Sequence, residues 1–160
     1  MEIYCDLDGV LTDIEASFRR LHSQFDALDK SMLWQYVDRH GIAFWSEMPW
    51  KADGLRLWRF IEAFEPRILT AAPVRMGTRL WSNSREGKLQ WVRRELGEQF
   101  GPSAVICKKS EKAKYAAADR ILIDDDAANA EAWQTAGGIA VLHRRADNTL
   151  DQLRSILAVN

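Results

Sequence analysis

Asp6 and Asp8 stand two positions apart directly after the apolar run Ile3-Tyr4-Cys5, and Gly9 follows them. Carboxylates this close raise each other's proton affinity, and the usual compensation is a divalent cation or a shared proton. Gly9 supplies the tight turn that such a strand end needs. A second acidic group, Asp124-Asp125-Asp126, ends the apolar run Ile121-Leu122-Ile123 in the same way. If the two runs are neighbours, their acids converge on a hard, oxygen-loving cation. Magnesium, which prefers octahedral oxygen ligands and keeps several waters, suits two carboxylates, one carbonyl and a phosphate.

Thr70 follows Ile68-Leu69 and precedes Ala71-Ala72-Pro73. A hydroxyl beside free backbone amides can hold a phosphate oxygen, and Pro73 suits the first turn of a helix. Lys114 lies ten residues before Asp124, where an ammonium can reach the same crevice and neutralise phosphate charge. Lys108, Lys109 and Lys112 compete for that role, and the spacing favours Lys114. Each piece also has a plain structural reading. Asp-Leu-Asp-Gly makes an ordinary turn, Asp124 to Asp126 cap a following helix, and Thr70 and Lys114 are common as a strand-end hydroxyl and a solvated lysine. Their conjunction at successive strand ends, in one order, points to a single phosphate site.

The elements that position these residues follow from hydrophobic periodicity. Ile3-Tyr4-Cys5, Ile68-Leu69, Ala104 to Cys107, Ile121-Leu122-Ile123 and Ile139 to Leu142 read as five buried strands. Leu57, Trp58 and Ile61 recur at helical spacing. Leu89, Val92, Leu96 and Phe100 mark a second helix, with Asn83 and Glu86 as a candidate cap and Gly101-Pro102 as its stop. A third helix is expected from Ala127 to Thr135, and Leu150, Leu153 and Leu157 define a fourth. The expected fold class is therefore α/β, a doubly wound, Rossmann-like parallel sheet of about five strands. Ligands of such sheets bind beyond the carboxyl ends of the strands, where the winding reverses.

The long gap between Leu11 and Ile68 exceeds a simple crossover. Phe18, Leu21, Phe25, Leu28, Met32, Leu33 and Tyr36 recur every three or four residues there, predicting two or three short helices. We expect one domain over residues 1–160, with a core of residues 1–13 and 54–160 and a small helical cap of about residues 14–53. The chain is 47% hydrophobic and 28% charged, with 22 basic against 23 acidic side chains. That balance gives a core without a global field to draw the protein to nucleic acid or membrane. The start lacks the pattern of a signal peptide, no run reaches transmembrane length, and a cytoplasmic location is expected. Cys5 and Cys107 read as buried free thiols, and the scattered His22, His40 and His143 suggest no zinc site.

At this point the chain resembles the haloacid dehalogenase-like (HAD) superfamily of aspartyl-phosphate-forming phosphatases over nearly its whole length. The motifs are Asp6-Leu7-Asp8-Gly9-Val10, Ile68-Leu69-Thr70, Lys114 and Ile123-Asp124-Asp125. The resemblance implies that Asp6 is nucleophile and metal ligand. It makes Asp8 the general acid, with its backbone carbonyl on Mg2+. Asp125 would complete the protein ligands, Asp124 would be a further ligand or an orienting carboxylate, and Thr70 and Lys114 would hold the phosphoryl oxygens. Relatives that cleave carbon-halogen bonds characteristically lack the second aspartate, so its presence favours phosphate esters.

Within the superfamily the chain is most like the 5'(3')-deoxyribonucleotidases, although Ala71 stands where those usually carry serine. The expected partner is a small phosphate ester, a nucleotide in particular. Phe18, Phe25, Trp34, Tyr36, Phe44, Trp45 and Trp50 offer aromatic surface either to stack a base or to build the insertion's own core. Phe44 and Trp45 are the better candidates for substrate contact. Arg75, Arg79, Arg85 and Lys88 form a basic stretch that reads as a solvated face, or as a site for a second phosphate or a nucleic-acid end. A polynucleotide 3'-phosphatase and a non-catalytic phosphate-binding module are the alternative functions.

Overall fold

Alternation along the first strand decides which side chains lie on which face of the sheet. In a computed structural model describing residues 1–73 and 77–158, Ile3 and Cys5 join one buried cluster and Tyr4 the other, as the two-residue period of a strand requires. The strands are β1 (Glu2–Cys5), β2 (Arg67–Ala71), β3 (Val105–Cys107), β4 (Arg120–Asp124) and β5 (Ile139–Leu142). They form one five-stranded sheet in the order β3-β2-β1-β4-β5. Every pairing is parallel. The winding reverses at β1, so the ends of β1, β2 and β4 open onto one crevice.

The helices are α1 (Ile14–Leu21), α2 (Lys30–His40), α3 (Ile42–Ser46), α4 (Gly54–Ile61), α5 (Arg79–Glu95), α6 (Ala127–Thr135) and α7 (Ala146–Ala158). Leu57, Trp58 and Ile61 of α4, Trp91 and Val92 of α5, and Leu150 and Leu153 of α7 cover one face of the sheet. Trp133 of α6 and Tyr115 pack on the other. Burial on both faces explains why the strands read as continuous apolar runs. Cys5 and Cys107 are buried and unpaired. No helix among the described residues is long and apolar enough to cross a membrane.

Two local expectations are corrected. Helix α5 starts at Arg79, and Thr78 caps it by accepting from the Trp81 amide, so Asn83 and Glu86 lie inside the helix rather than at its start. Pro73 is outside any helix, because the chain after β2 does not turn directly into α5.

Residues 14–46 supply α1 to α3, joined by a short 3-10 turn at Phe25–Ala27. Their rings pack on one another. Phe18 meets Phe25, Trp34 and Phe44, and Trp45 meets Trp34 and Phe44. Helix α3 then seats on α5 at Gly87, where an added Cβ would lie 2.5 Å from the Trp45 Cβ and 2.6 Å from the Ile42 carbonyl oxygen. Glycine is required there because the two backbones approach too closely for any side chain.

Candidate active site

Asp6 is the first residue past β1, and its amide donates to the Ile123 carbonyl, which ties it beside the end of β4. Its Oδ1 accepts from the Leu7 amide at 2.7 Å, and its Oδ2 lies 2.7 Å from Lys112 Nζ. Asp124 closes β4 and is fully buried. Its Oδ2 accepts from Lys112 Nζ at 2.7 Å and from Asn129 Nδ2 at 3.0 Å. Its Oδ1 accepts from the Asp126 amide at 2.9 Å and from Asn129 at 3.2 Å. Oxygens of Asp6, Asp124 and Asp125 all lie within 4.8 Å of one another.

Asp125 is brought close by the turn after β1. Gly9 has φ +78°, and a Cβ there would fall 2.1 Å from Asp125 Oδ2, so only glycine admits that carboxylate. Burial, then Asp6, then Asp124 push the Asp125 pKa up to about 6. Burial also raises Asp124, with Asp6 adding and Lys112 opposing. Lys112 bonds Asp6 and Asp124 and Lys51 opposes the rise at Asp125, so three carboxylates face two ammoniums and negative charge is left in surplus. A hard divalent cation relieves it, and the all-oxygen donor set suits magnesium.

Asp8 lies on the other side of Asp6 and is partly buried. Lys88 of α5 donates to its Oδ2 at 2.6 Å, to Thr70 Oγ1 at 3.0 Å and to the Ala71 carbonyl at 2.7 Å. Burial raises the Asp8 pKa, the Lys88 ammonium opposes that, and Asp6 adds to it. The Lys88 side chain is wholly inaccessible to solvent, and the Trp45 ring lies 5.3 Å from its Nζ.

Two cavities share this centre. A polar one of about 380 Å³ is lined by Asp6, Asp8, Lys51, Lys112, Asp125 and Asn129. An apolar one of about 950 Å³ runs beside Asp8 along Ala71, Ala72, Pro73, Ala113, Ala128 and Ala132, with Lys108 and Lys109 also lining it.

The structure thus brings together Asp6, Asp8, Thr70, Ala71, Asp124 and Asp125. It does not bring in Lys114, which is 68% exposed and paired with Glu111. Lys112 takes the place inside, because the segment Lys109–Tyr115 is a 3-10 helix and its tighter turn changes which lysine faces inward. Phe44 and Trp45 are also displaced from their expected role. They are 3% and 0% exposed and line neither cavity, since their rings are consumed by the α3 and α5 packing.

The expected basic stretch is no single face. Arg79 pairs with Asp38, Lys88 is buried against Asp8, and Arg75 lies outside the described residues. Sequence reasoning also missed Lys51 and Asn129, and it placed Lys88 on a surface. A signal for Lys88 existed, since it shares the buried stripe of α5 with Trp81, Ser84, Trp91 and Val92.

No protein-family model matches the chain, and no curated protein does. Among solved structures the chain is similar to a Thermotoga maritima protein assigned as a beta-phosphoglucomutase. That likeness has 14% identity, 98% of this chain and 100% of the other covered, and a TM-score of 0.56. A hydrolase from Streptococcus pneumoniae TIGR4 aligns at 12% identity over 98% of this chain and 97% of its own, with a TM-score of 0.49. A HAD family enzyme from Bacteroides thetaiotaomicron, in a magnesium complex, aligns at 14% identity over 89% of this chain and 92% of its own, with a TM-score of 0.40. The architecture is shared. The Thermotoga maritima structure shares the layered α/β fold over 98% of this chain.

Proposed function

We propose that this chain is a magnesium-dependent phosphomonoester hydrolase of the haloacid dehalogenase-like type, acting through an aspartyl phosphate on Asp6. The observation that carries the reading is the convergence of Asp6, Asp124 and Asp125 around Lys112, with Asp8 beside them at the apolar cavity.

Asp6 is held by the Leu7 amide and Lys112, so its carboxylate is oriented before a substrate arrives. It attacks phosphorus, forming an acyl phosphate as the phosphorus to ester-oxygen bond breaks. Asp8 gives its proton to the departing oxygen. Asp8, now a carboxylate, takes a proton from water, and that water attacks phosphorus. Inorganic phosphate leaves and Asp6 is regenerated. Lys112 holds the phosphoryl oxygens, while Thr70, fully buried and lining neither cavity, accepts from Lys88. Asp6, Asp125 and the Asp8 carbonyl would hold magnesium, which supplies charge neutralisation at the transferring group. Asp124 acts as an orienting carboxylate rather than a ligand, because both its oxygens are already occupied by Lys112, Asn129 and the Asp126 amide.

The substrate class we favour is a nucleotide. With Phe44 and Trp45 buried, the seat for a base moves to the apolar cavity beside Asp8, whose volume and alanine-lined walls accept a flat apolar body. The test is hydrolysis of nucleoside monophosphates, sugar phosphates and 3'-phosphorylated oligonucleotides with magnesium, using Asp6→Asn as control. Turnover by wild type and none by Asp6→Asn is expected, with the nucleoside monophosphates fastest. Equal hydrolysis by Asp6→Asn would remove the mechanism. A preference for oligonucleotides that fades with salt would replace the nucleotide by a polynucleotide end.

A further inference from the structure

A lysine buried in the middle of a helix needs a reason. Lys88 is 0% exposed, and an ammonium taken out of water is tolerated only where its hydrogens find acceptors and its charge a partner. All three of its N–H groups are used, on Asp8 Oδ2, Thr70 Oγ1 and the Ala71 carbonyl. Asp8 is the charge partner, and the other two acceptors are neutral. None of these contacts is with Asp6, Asp124 or Asp125, so Lys88 takes no part in balancing the acidic cluster.

The direction of each bond matters because an ammonium has three donors and no acceptor. Asp8 Oδ2 must therefore accept, and a proton placed on it would point at the ammonium. The transferable proton is left to Oδ1, which Thr12 Oγ1 approaches only at 3.5 Å. Thr70 Oγ1 must likewise accept from Lys88, and with the Ala71 carbonyl it anchors the ammonium beside the acid. One side chain thus sets the polarity of the acid.

We propose that Lys88 is a positioning residue that fixes Asp8 with Oδ1 as its proton-bearing oxygen. The inference rests on the phosphatase reading above, and Lys88 itself touches no reacting atom. Trp45 over its Nζ and Gly87 beneath α3 hold the lysine in place. That arrangement links the aromatic packing of the insertion to the acid.

The experiment compares 4-nitrophenyl phosphate, whose leaving group departs without a proton, with phenyl phosphate, whose leaving group needs one. For Lys88→Met, single-turnover release of phenol, which reports only the first step, falls by about 100-fold or more, the usual worth of a placed general acid, while single-turnover release of 4-nitrophenol falls by less than about fivefold. In the Asp8→Asn background, adding Lys88→Met causes no further loss on phenyl phosphate, because the lysine acts through the acid. Lys88→Gln keeps two N–H donors and is expected to lie between wild type and Lys88→Met; it carries the comparison if Lys88→Met does not fold. Equal losses on the two esters, or multiplicative losses in the double variant, with an active wild type overturn the role of Lys88 alone. A wild-type protein that hydrolyses neither ester overturns the phosphatase reading, and this inference with it.

Discussion

Two buried lysines flank the end of β1, and their surroundings differ in charge. Lys112 meets Asp6 and Asp124 at 2.7 Å each, with Asp125 close by. Lys88 meets one carboxylate, Asp8, and two neutral oxygens. The first region carries more negative charge than its lysine can cancel, and the second is balanced. The difference teaches how one crevice divides its labour. On the proposed reading, surplus charge on the Lys112 side would draw a cation and the phosphoryl group, and balance on the Lys88 side would hold an acid in a set orientation without attracting a further ion. His143 makes a third case. It is buried, its Nδ1 is paired with Thr149, and its Nε2 finds no hydrogen-bond partner among the described residues. Burial therefore pushes its pKa down, with Asp53 opposing and Lys51 and Arg144 adding.

The sharpest way to break the comparison is Lys112→Met in metal-free protein. Removing the ammonium that bonds both Asp6 and Asp124 should lower the unfolding free energy by about 3–5 kcal/mol in denaturant titration. A value within about 1 kcal/mol of wild type would mean that no surplus charge is stored there. Asp125→Asn tests the same surplus from the other side. It should abolish the rise in Tm that magnesium gives wild type and cut turnover by about 100- to 1,000-fold. A preserved magnesium-dependent shift would move the cation elsewhere.

A smaller effect concerns His143, whose folded pKa lies below the ordinary value near 6.5. The unfolded chain binds that proton first as pH falls, so stability present above pH 6.5 is lost on acidification, by at most about 1.4 kcal/mol per pH unit. Asp125 works in the opposite sense, because its raised pKa lets the folded state take up a proton near pH 6. The His143 contribution is therefore read as the difference between wild type and His143→Gln across pH 5 to 7, and parallel curves would show that burial leaves His143 unaffected. The smallest effect is expected at Lys114, which is exposed and paired with Glu111. Lys114→Ala should change stability by less than about 0.5 kcal/mol and turnover by less than about twofold. A large loss of turnover would return the phosphate role to Lys114.

Much of the fold was legible because strands buried on both faces and helices with one buried stripe leave periodic marks. The runs at Ile3, Ile68, Val105, Ile121 and Ile139 are strands, and the helix expected from Ala127 to Thr135 has those bounds. The acids were legible for a related reason. Asp6, Asp8 and Asp124 to Asp126 are attached to strand ends, so short, stiff side chains on a fixed backbone leave little doubt about where the carboxylates go. Long side chains and loop geometry escape that logic. Which lysine enters the crevice depends on a 3-10 segment whose turn advances differently from an α-helix. Phe44 and Trp45 read equally as base contacts or as packing until α3 is seen seated on α5.

By itself, then, the sequence determined a parallel α/β sheet with carboxylates at its switch point, because periodicity and adjacency to a strand end are local properties of the chain. Only the tertiary structure decided that Lys112 faces Asp6 and Asp124 and that Lys88 reaches Asp8 across 80 residues of chain. A flexible lysine goes where a buried acceptor and a partner charge await it, and packing between distant segments creates both.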